Sequence, residues 1–295
     1  KTNSIKATKL IMNSKNDINI VLPITTVNNI NKIQKISSDI PKLFCCFPLI
    51  GSEQFNQPMI INSFKFSPNE ARSTIFLKNT KSEKVNKNRE LLIQANELFK
   101  EILEYCIKNK YEDYFNLFTQ EPISNQFIDI NWINEKIFKP RTNFLYEQPI
   151  VKTVNNQYLH VTSLYFPKDC SKEYREYLWK LFHMYFKDKI VNKEEVENWY
   201  ENVKTTKYAL NIEGFLKIIS KGKSLHDLKS IDNLNDKIKF INELIKFVQY
   251  SEQSSFLFNK YAVIPNINND FMLLNDLKTD KDAPISQEIK NIYKL

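Results

Sequence analysis

Three glycines in 295 residues, Gly51, Gly214 and Gly222, constrain this chain more than any other feature. Loops that cradle a nucleotide phosphate are built from closely spaced glycines, which supply positive φ angles and let the backbone approach the ligand. With the three so far apart, neither a P-loop nor a dinucleotide-binding fingerprint can be assembled. Asn, Pro, Ser and the rare Gly punctuate the apolar runs.

The length allows two domains with a large core. No apolar run approaches the length that crosses a bilayer, so a soluble protein without a membrane partner is expected. Lys and Arg exceed Asp and Glu by eight, which raises nucleic acid as a partner. The excess is scattered lysine, however, and its longest stretch, Lys78 to Arg89, contains Glu83, so a solvated surface is favoured over a nucleic-acid site. Cys45, Cys46, Cys106 and Cys170 show no C-x-x-C spacing, and Cys45 and Cys106 sit in apolar runs, as expected for a reducing cytoplasm. The chain opens on Lys1 without signal-peptide character and goes straight into strand-like sequence. A piece of a longer protein is the expectation.

The first eighty residues read as β, with runs at Ile18–Ile24, Leu43–Ile50 and Met59–Phe66. The period then changes. Thr80-Lys81-Ser82-Glu83 has the capping-box pattern, and Leu91, Leu92, Ala95, Leu98, Phe99, Ile102, Leu103 and Cys106 recur at helical spacing. Tyr111–Phe118 predicts a short helix, and Gln148–Val161 a hairpin around Asn155-Asn156. Downstream, Ser171 and Asn192 are placed to cap helices, and a third helix spans Asn211 to Ser220. Asn235–Phe258 carries a stripe of Ile238, Ile241, Leu244, Ile245 and Val248, and Tyr261–Pro265 with Phe271–Leu274 reads as a closing hairpin.

Catalytic constellations are hard to find. His160, His183 and His226 fall in different elements without metal-ligand spacing, so no metal site is expected. There is no G-x-S-x-G elbow, and no cysteine has an activating neighbourhood. One segment stands apart, Pro58 to Leu77 immediately before the long helix. Pro68 stops strand pairing, which puts Asn69, Glu70, Ala71 and Arg72 on a connection. A guanidinium there can meet a phosphate with bidentate geometry, with Asn69 orienting it. The alternative is a local ion pair between Arg72 and Glu70 or a neighbouring carboxylate.

Leu43–Glu53 (L-F-C-C-F-P-L-I-G-S-E), followed by I-I-N-S-F-K-F-S-P-N-E-A-R, resembles the region after the nucleotide-binding domain in sacsin-like bacterial ATP-binding proteins. Those proteins belong to the GHKL superfamily of gyrase, heat-shock chaperone, histidine kinase and MutL ATPases. The likeness continues through Asn88–Tyr105, Gln148–Val151 and Tyr261–Asn266, so it covers most of the chain. More distantly, the same stretch is similar to the middle domain of the large heat-shock chaperone of that superfamily. There an N-x-x-R loop precedes a long helix, and its arginine reaches the ATP γ-phosphate held by the preceding domain. Carried over, Arg72 is an arginine finger in the same chain and Asn69 its support. Two positions depart from the chaperone pattern: Phe76 stands where that family has glutamine, and Ser73 where it has an acidic residue. The turn after Asn266 has Asn269-Asp270 where sacsin-like relatives commonly have glycine.

These features together imply an α+β chain, with a chaperone-middle-domain-like α/β part over residues 1–160 and a mainly helical domain over 161–295. The resemblance implies a non-catalytic segment of a larger ATPase. Its partners would be a missing N-terminal GHKL domain, which holds ATP and Mg, together with downstream segments and a protein client. No cofactor is expected in this chain, since no D-x-G-x-G motif is present. Two rival readings are a nucleic-acid module using aromatics such as Tyr174, Tyr177 and Trp199, and an interaction scaffold in which Arg72 makes only local contacts.

Overall fold

The computed structural model describes residues 8–78, 81–119, 126–250 and 254–277. The architecture is α+β. The chain divides into two compact units, Lys1–Val151 with Tyr158–Thr162, and Lys152–Gln157 with Ser163–Leu295.

The first unit opens with β1 (Thr8–Lys15) and β2 (Ile18–Val27), antiparallel around Asn16-Asp17 with Lys15 opposite Ile18. Asn16 takes φ 53°, the left-handed position a two-residue hairpin ordinarily gives to glycine or asparagine. The far edge of β2 is shared. Its residues Ile24–Val27 pair with β3 (Ile30–Ile33), and Asn19–Val21 pair with β5 (Ile60–Asn62). Between them in the chain, β4 (Leu43–Phe44) runs parallel to β5. Two of the expected strands are therefore shorter than their apolar runs. Only Leu43–Phe44 of Leu43–Ile50, and Ile60–Asn62 of Met59–Phe66, pair in the sheet.

Alternation puts Ile18, Ile20, Leu22 and Ile24 on one face of the sheet, all buried, and α1 (Glu83–Lys108) packs on β1 and β2. Its buried stripe includes Leu91, Leu92, Ala95, Leu98, Phe99, Ile102, Leu103 and Cys106, matching the periodicity. Each Leu, Ile or Phe among them, once removed from water, contributes about 1.5–3 kcal/mol. The N-cap is Ser82, with no side-chain capping bond; Thr80 lies outside the described residues. Tyr114–Leu117 forms a 3-10 turn where a short helix was expected. Three helical pieces follow without a break: α2 (Ile130–Ile133), a π segment (Asn134–Phe138) and α3 (Lys139–Tyr146). Pro140 lies inside this continuous run, just after the π segment, where its missing N–H interrupts the regular hydrogen-bond ladder. Then β6 (Pro149–Lys152) pairs with β7 (Tyr158–His160), the expected hairpin, with Asn156 at φ 58° in its turn.

The second unit contains β8 (Phe166–Pro167), α4 (Lys172–Phe186), α5 (Val196–Val203), β9 (Ala209–Leu210), α6 (Ile212–Ile219), α7 (Leu234–Tyr250) and α8 (Ser254–Lys260), with β8 and β9 parallel. Ser171 accepts a hydrogen bond from the Tyr174 N–H and Asn192 one from the Glu194 N–H, so both predicted caps are in place, the second on a 3-10 turn (Lys193–Glu195) that leads into α5. Asn211, where the third helix was expected to begin, accepts from the Gly214 N–H. Phe182, Phe215 and Phe240 are fully buried, with ring centroids 4.6 Å (Phe182–Phe215) and 6.1 Å (Phe215–Phe240) apart. On α7 the buried stripe is Phe240, Ile241, Leu244, Phe247 and Val248; Ile238, expected on it, is exposed. β10 (Ile264–Pro265) and β11 (Phe271–Met272) close the described chain as an antiparallel pair, and Asn269 turns it at φ 69° in place of glycine.

Arg175 on α4 is the electrostatic anchor of this unit. Its guanidinium donates to both Glu197 oxygens, at 2.9 and 2.5 Å, and to the Asp169 and Cys170 carbonyls, over the ring of Tyr200. The Arg175 hydrogen bonds hold the Glu197 carboxyl below its ordinary range. A depressed carboxyl stabilises the fold above its unfolded-state pKa, and the contribution is lost as pH falls through the folded-state value. Glu197→Gln is therefore expected to lower the urea midpoint at about pH 7, with the gap to wild type closing as pH falls through the depressed folded-state pKa of Glu197. A gap that persists below that pKa would contradict the ionic origin of the effect.

Among the described residues no helix is long and apolar enough to cross a membrane.

Candidate functional site

Two loops of the first unit meet beside β4 and β5, and the predicted residues lie on one of them. The first loop follows β4. The Cys45 N–H donates to the Phe47 carbonyl at 2.8 Å, the Leu49 N–H donates to the Leu43 carbonyl at 3.0 Å, and Phe44 bridges Pro48. Buried Ser52 closes its base, its hydroxyl accepting from the Lys42 and Leu43 N–H groups at 3.1 and 3.0 Å. The second loop follows β5, and Pro68 pairs with Ile75 across it as a one-bridge ladder.

Asn69 organises that second loop. Its N–H donates to the Thr74 carbonyl and its carbonyl accepts from the Arg72 N–H, both at 2.9 Å. Its Oδ1 accepts from the Ser73 N–H at 2.8 Å and the Thr74 N–H at 3.2 Å, while its Nδ2 donates to the Ser73 hydroxyl at 3.0 Å. Asn69 is 4% exposed, so these partners stand in for water. Ser73, which replaces the acidic residue of the chaperone pattern, is thereby part of the clamp. Phe76, which replaces the glutamine, turns to the Phe127 ring, 5.7 Å away edge-on. Asn69→Ala removes one acceptor shared by two backbone donors and is expected to cost about 1–3 kcal/mol. Faster hydrogen exchange at the Thr74 amide is the measurement; an unchanged rate would mean the loop does not depend on the clamp.

Arg72 is exposed at the tip of this loop. Among the described residues it makes no ion pair, with Glu70 or any other carboxylate, so the local-pair alternative has no support here. Its guanidinium lies over the Phe47 ring, 5.0 Å from the centroid, which brings the two loops together. The backbone is unusual as well. Asparagine fills most of the positive-φ positions of the described chain, but Cys46 at φ 60° and Arg72 at φ 53°, like Lys110 and Lys187 elsewhere, adopt such a φ without its short polar side chain. Residues held this way cost about 1–3 kcal/mol each and persist where the surroundings over-determine them. Gly51, at φ 122°, is the glycine this site requires: a Cβ there would stand 2.9 Å from both the Cβ and the carbonyl oxygen of Ser73. The first loop can approach the second only because position 51 has no side chain.

Two residues of α1 that periodicity did not single out hold the loop stems. Asn88, fully buried, accepts from the Ser67 N–H at 2.8 Å and donates to the Ser67 and Phe76 carbonyls at 2.9 and 3.0 Å. Arg89 donates to the Leu77 carbonyl and to Asp129 at 2.7 Å, over the Trp132 ring. A signal for Asn88 was present, because it interrupts the buried stripe between Val85 and Leu92 with an amide that burial forces to find partners. Arg141 on α3 is buried too. It donates to Gln57 Oε1, with Asn96 and Thr119 oxygens at 3.4 Å, and ties the segment before β5 to both helices.

Chemically, the site offers a fixed cation at a tip and little else. Burial pushes the Cys45 thiol up, with Cys46 adding to the rise and Arg72 opposing it, so no thiolate nucleophile is prepared. Burial pushes the Cys106 thiol up to about 12. Among the described residues no group of His, Cys, Asp and Glu is placed to hold a metal ion, and the three histidines are exposed and separate. Of the aromatics considered for nucleic-acid stacking, Trp199 is 0% exposed, and Tyr177 stacks on Phe247 while donating to Glu243. Tyr174 packs edge-on against the same phenylalanine.

No family model, no curated protein and no solved structure matches this chain.

Proposed function

We propose that this chain is a non-catalytic middle segment of a larger, sacsin-like GHKL ATPase, in which Arg72 is the arginine finger and Asn69 its support. The observation that carries the proposal is an exposed arginine without a carboxylate partner among the described residues, held in a left-handed conformation at the tip of a clamped loop. A cation placed where charge builds up in phosphoryl transfer lowers the barrier, and it does so best when it is already in position. ATP and Mg belong to the preceding domain and supply the γ-phosphate; this chain's part is to bring the guanidinium to it. The buried Asn88 ties the loop stems to α1, so a change at Arg72 is felt by a 26-residue helix and can be relayed to downstream segments or a protein client.

The test is ATP turnover by the intact protein, wild type beside Arg72→Ala, with this chain alone as the inert control. Loss of turnover with retained ATP binding supports the reading. Equal turnover sinks it and leaves an interaction scaffold.

A further inference from the structure

The resting partner of Arg72 is an aromatic face. Its guanidinium carbon is 5.0 Å from the Phe47 centroid, and among the described residues no carboxylate pairs with it. A carboxylate would compete directly with an incoming phosphate for the same bidentate donors. A ring attracts the cation through its quadrupole, holds the long side chain in one region, and leaves the N–H groups free at the guanidinium rim.

Both halves of this contact are set independently of each other. Phe47 is held by the Cys45 N–H to Phe47 carbonyl bond, by the left-handed Cys46, and by the bridge from Phe44 to Pro48. Arg72 is held by the Asn69 clamp, and the close approach of Gly51 to Ser73 fixes the distance between the two loops. Nothing in the hydrogen bonding of either loop needs a ring at position 47, since only the backbone of Phe47 takes part.

We propose that Phe47 is the positioning residue for Arg72, its ring holding the guanidinium at the loop tip and yielding it to a phosphate. This rests on the reading that Arg72 meets the nucleotide. Phe47 makes no contact with the reacting atoms; it acts through Arg72 alone. The attraction of a surface cation to a phenyl face predicts an effect of about two- to fivefold on turnover.

The experiment is steady-state ATP turnover and ATP binding by the intact protein carrying Phe47→Leu, Phe47→Tyr, Arg72→Ala, or Phe47→Leu with Arg72→Ala. Phe47→Leu is expected to lower kcat about two- to fivefold without weakening ATP binding. Phe47→Tyr, which keeps the ring, restores it. In the Arg72→Ala background Phe47→Leu should cost nothing further. If Arg72→Ala lowers turnover but Phe47→Leu does not, or if Phe47→Leu costs the same in both backgrounds, Phe47 is not positioning Arg72. If Arg72→Ala itself leaves turnover unchanged, the nucleotide reading falls and takes this one with it.

Discussion

Replacing Arg72 with alanine in the intact protein is expected to reduce ATP turnover by about 10³-fold or more, the lower end of what arginine fingers contribute. ATP binding should change little, because the finger acts on charge that develops during transfer rather than on the bound ground state. Arg72→Lys should recover little of the loss. An ammonium is a point charge with no planar fork, and its attraction to the Phe47 face cannot reproduce bidentate contact with phosphate oxygens. The fold should survive each change, since the side chain is exposed and only its backbone N–H takes part in the loop's bonding. A variant with wild-type turnover would return Arg72 to the surface and direct the search to partner binding.

The second large effect is on stability. Trp199→Ala is expected to cost about 3–5 kcal/mol, the range for removing a buried aromatic ring. Trp199 is 0% exposed, its ring lies 6.2 Å from that of Phe166, and its indole N–H donates to Glu195 at 3.0 Å. Truncation leaves a cavity at the contact of α5 with β8 and removes the indole hydrogen bond to Glu195. Urea unfolding followed by far-UV circular dichroism measures it, and an unchanged midpoint for the second unit would show that the ring is not part of the core. The same burial removes Trp199 from the surface on which a nucleic-acid base would have to stack.

Local patterns were legible. The stripe from Leu91 to Cys106 predicted α1, and Ser171, Asn192 and Asn211 marked helix starts because a cap is a contact within four residues of chain. The hairpins at β6–β7 and β10–β11 were legible for the same reason, with Asn156 and Asn269 doing what glycine usually does. Segment 130–146 was missed, since Pro140 and the π segment break the 3.6-residue period on which recognition depends. The run Leu43–Ile50 misled in the other direction. Only Leu43 and Leu49 of it are buried, while Phe44, Cys45 and Phe47 are half-buried and Ile50 is exposed, in a loop closed by Ser52; hydrophobicity alone does not distinguish an apolar loop from a strand.

Of the candidate site, the sequence by itself determined that Arg72 and Asn69 stand on a connection, because Pro68 has no N–H to extend a ladder, which here stops at its single bridge with Ile75, and the long helix begins soon after. It also determined that a phosphate-cradling loop could not be built from three scattered glycines. Only the tertiary structure decided what surrounds the arginine. Phe47 reaches Arg72, Gly51 reaches Ser73, and Asn88 reaches Ser67 and Phe76 across separations of 12 to 25 residues. Contacts at that range leave no periodic trace in the chain. They are selected by sheet register and by the requirement that buried polar groups find partners, which are properties of the packed whole.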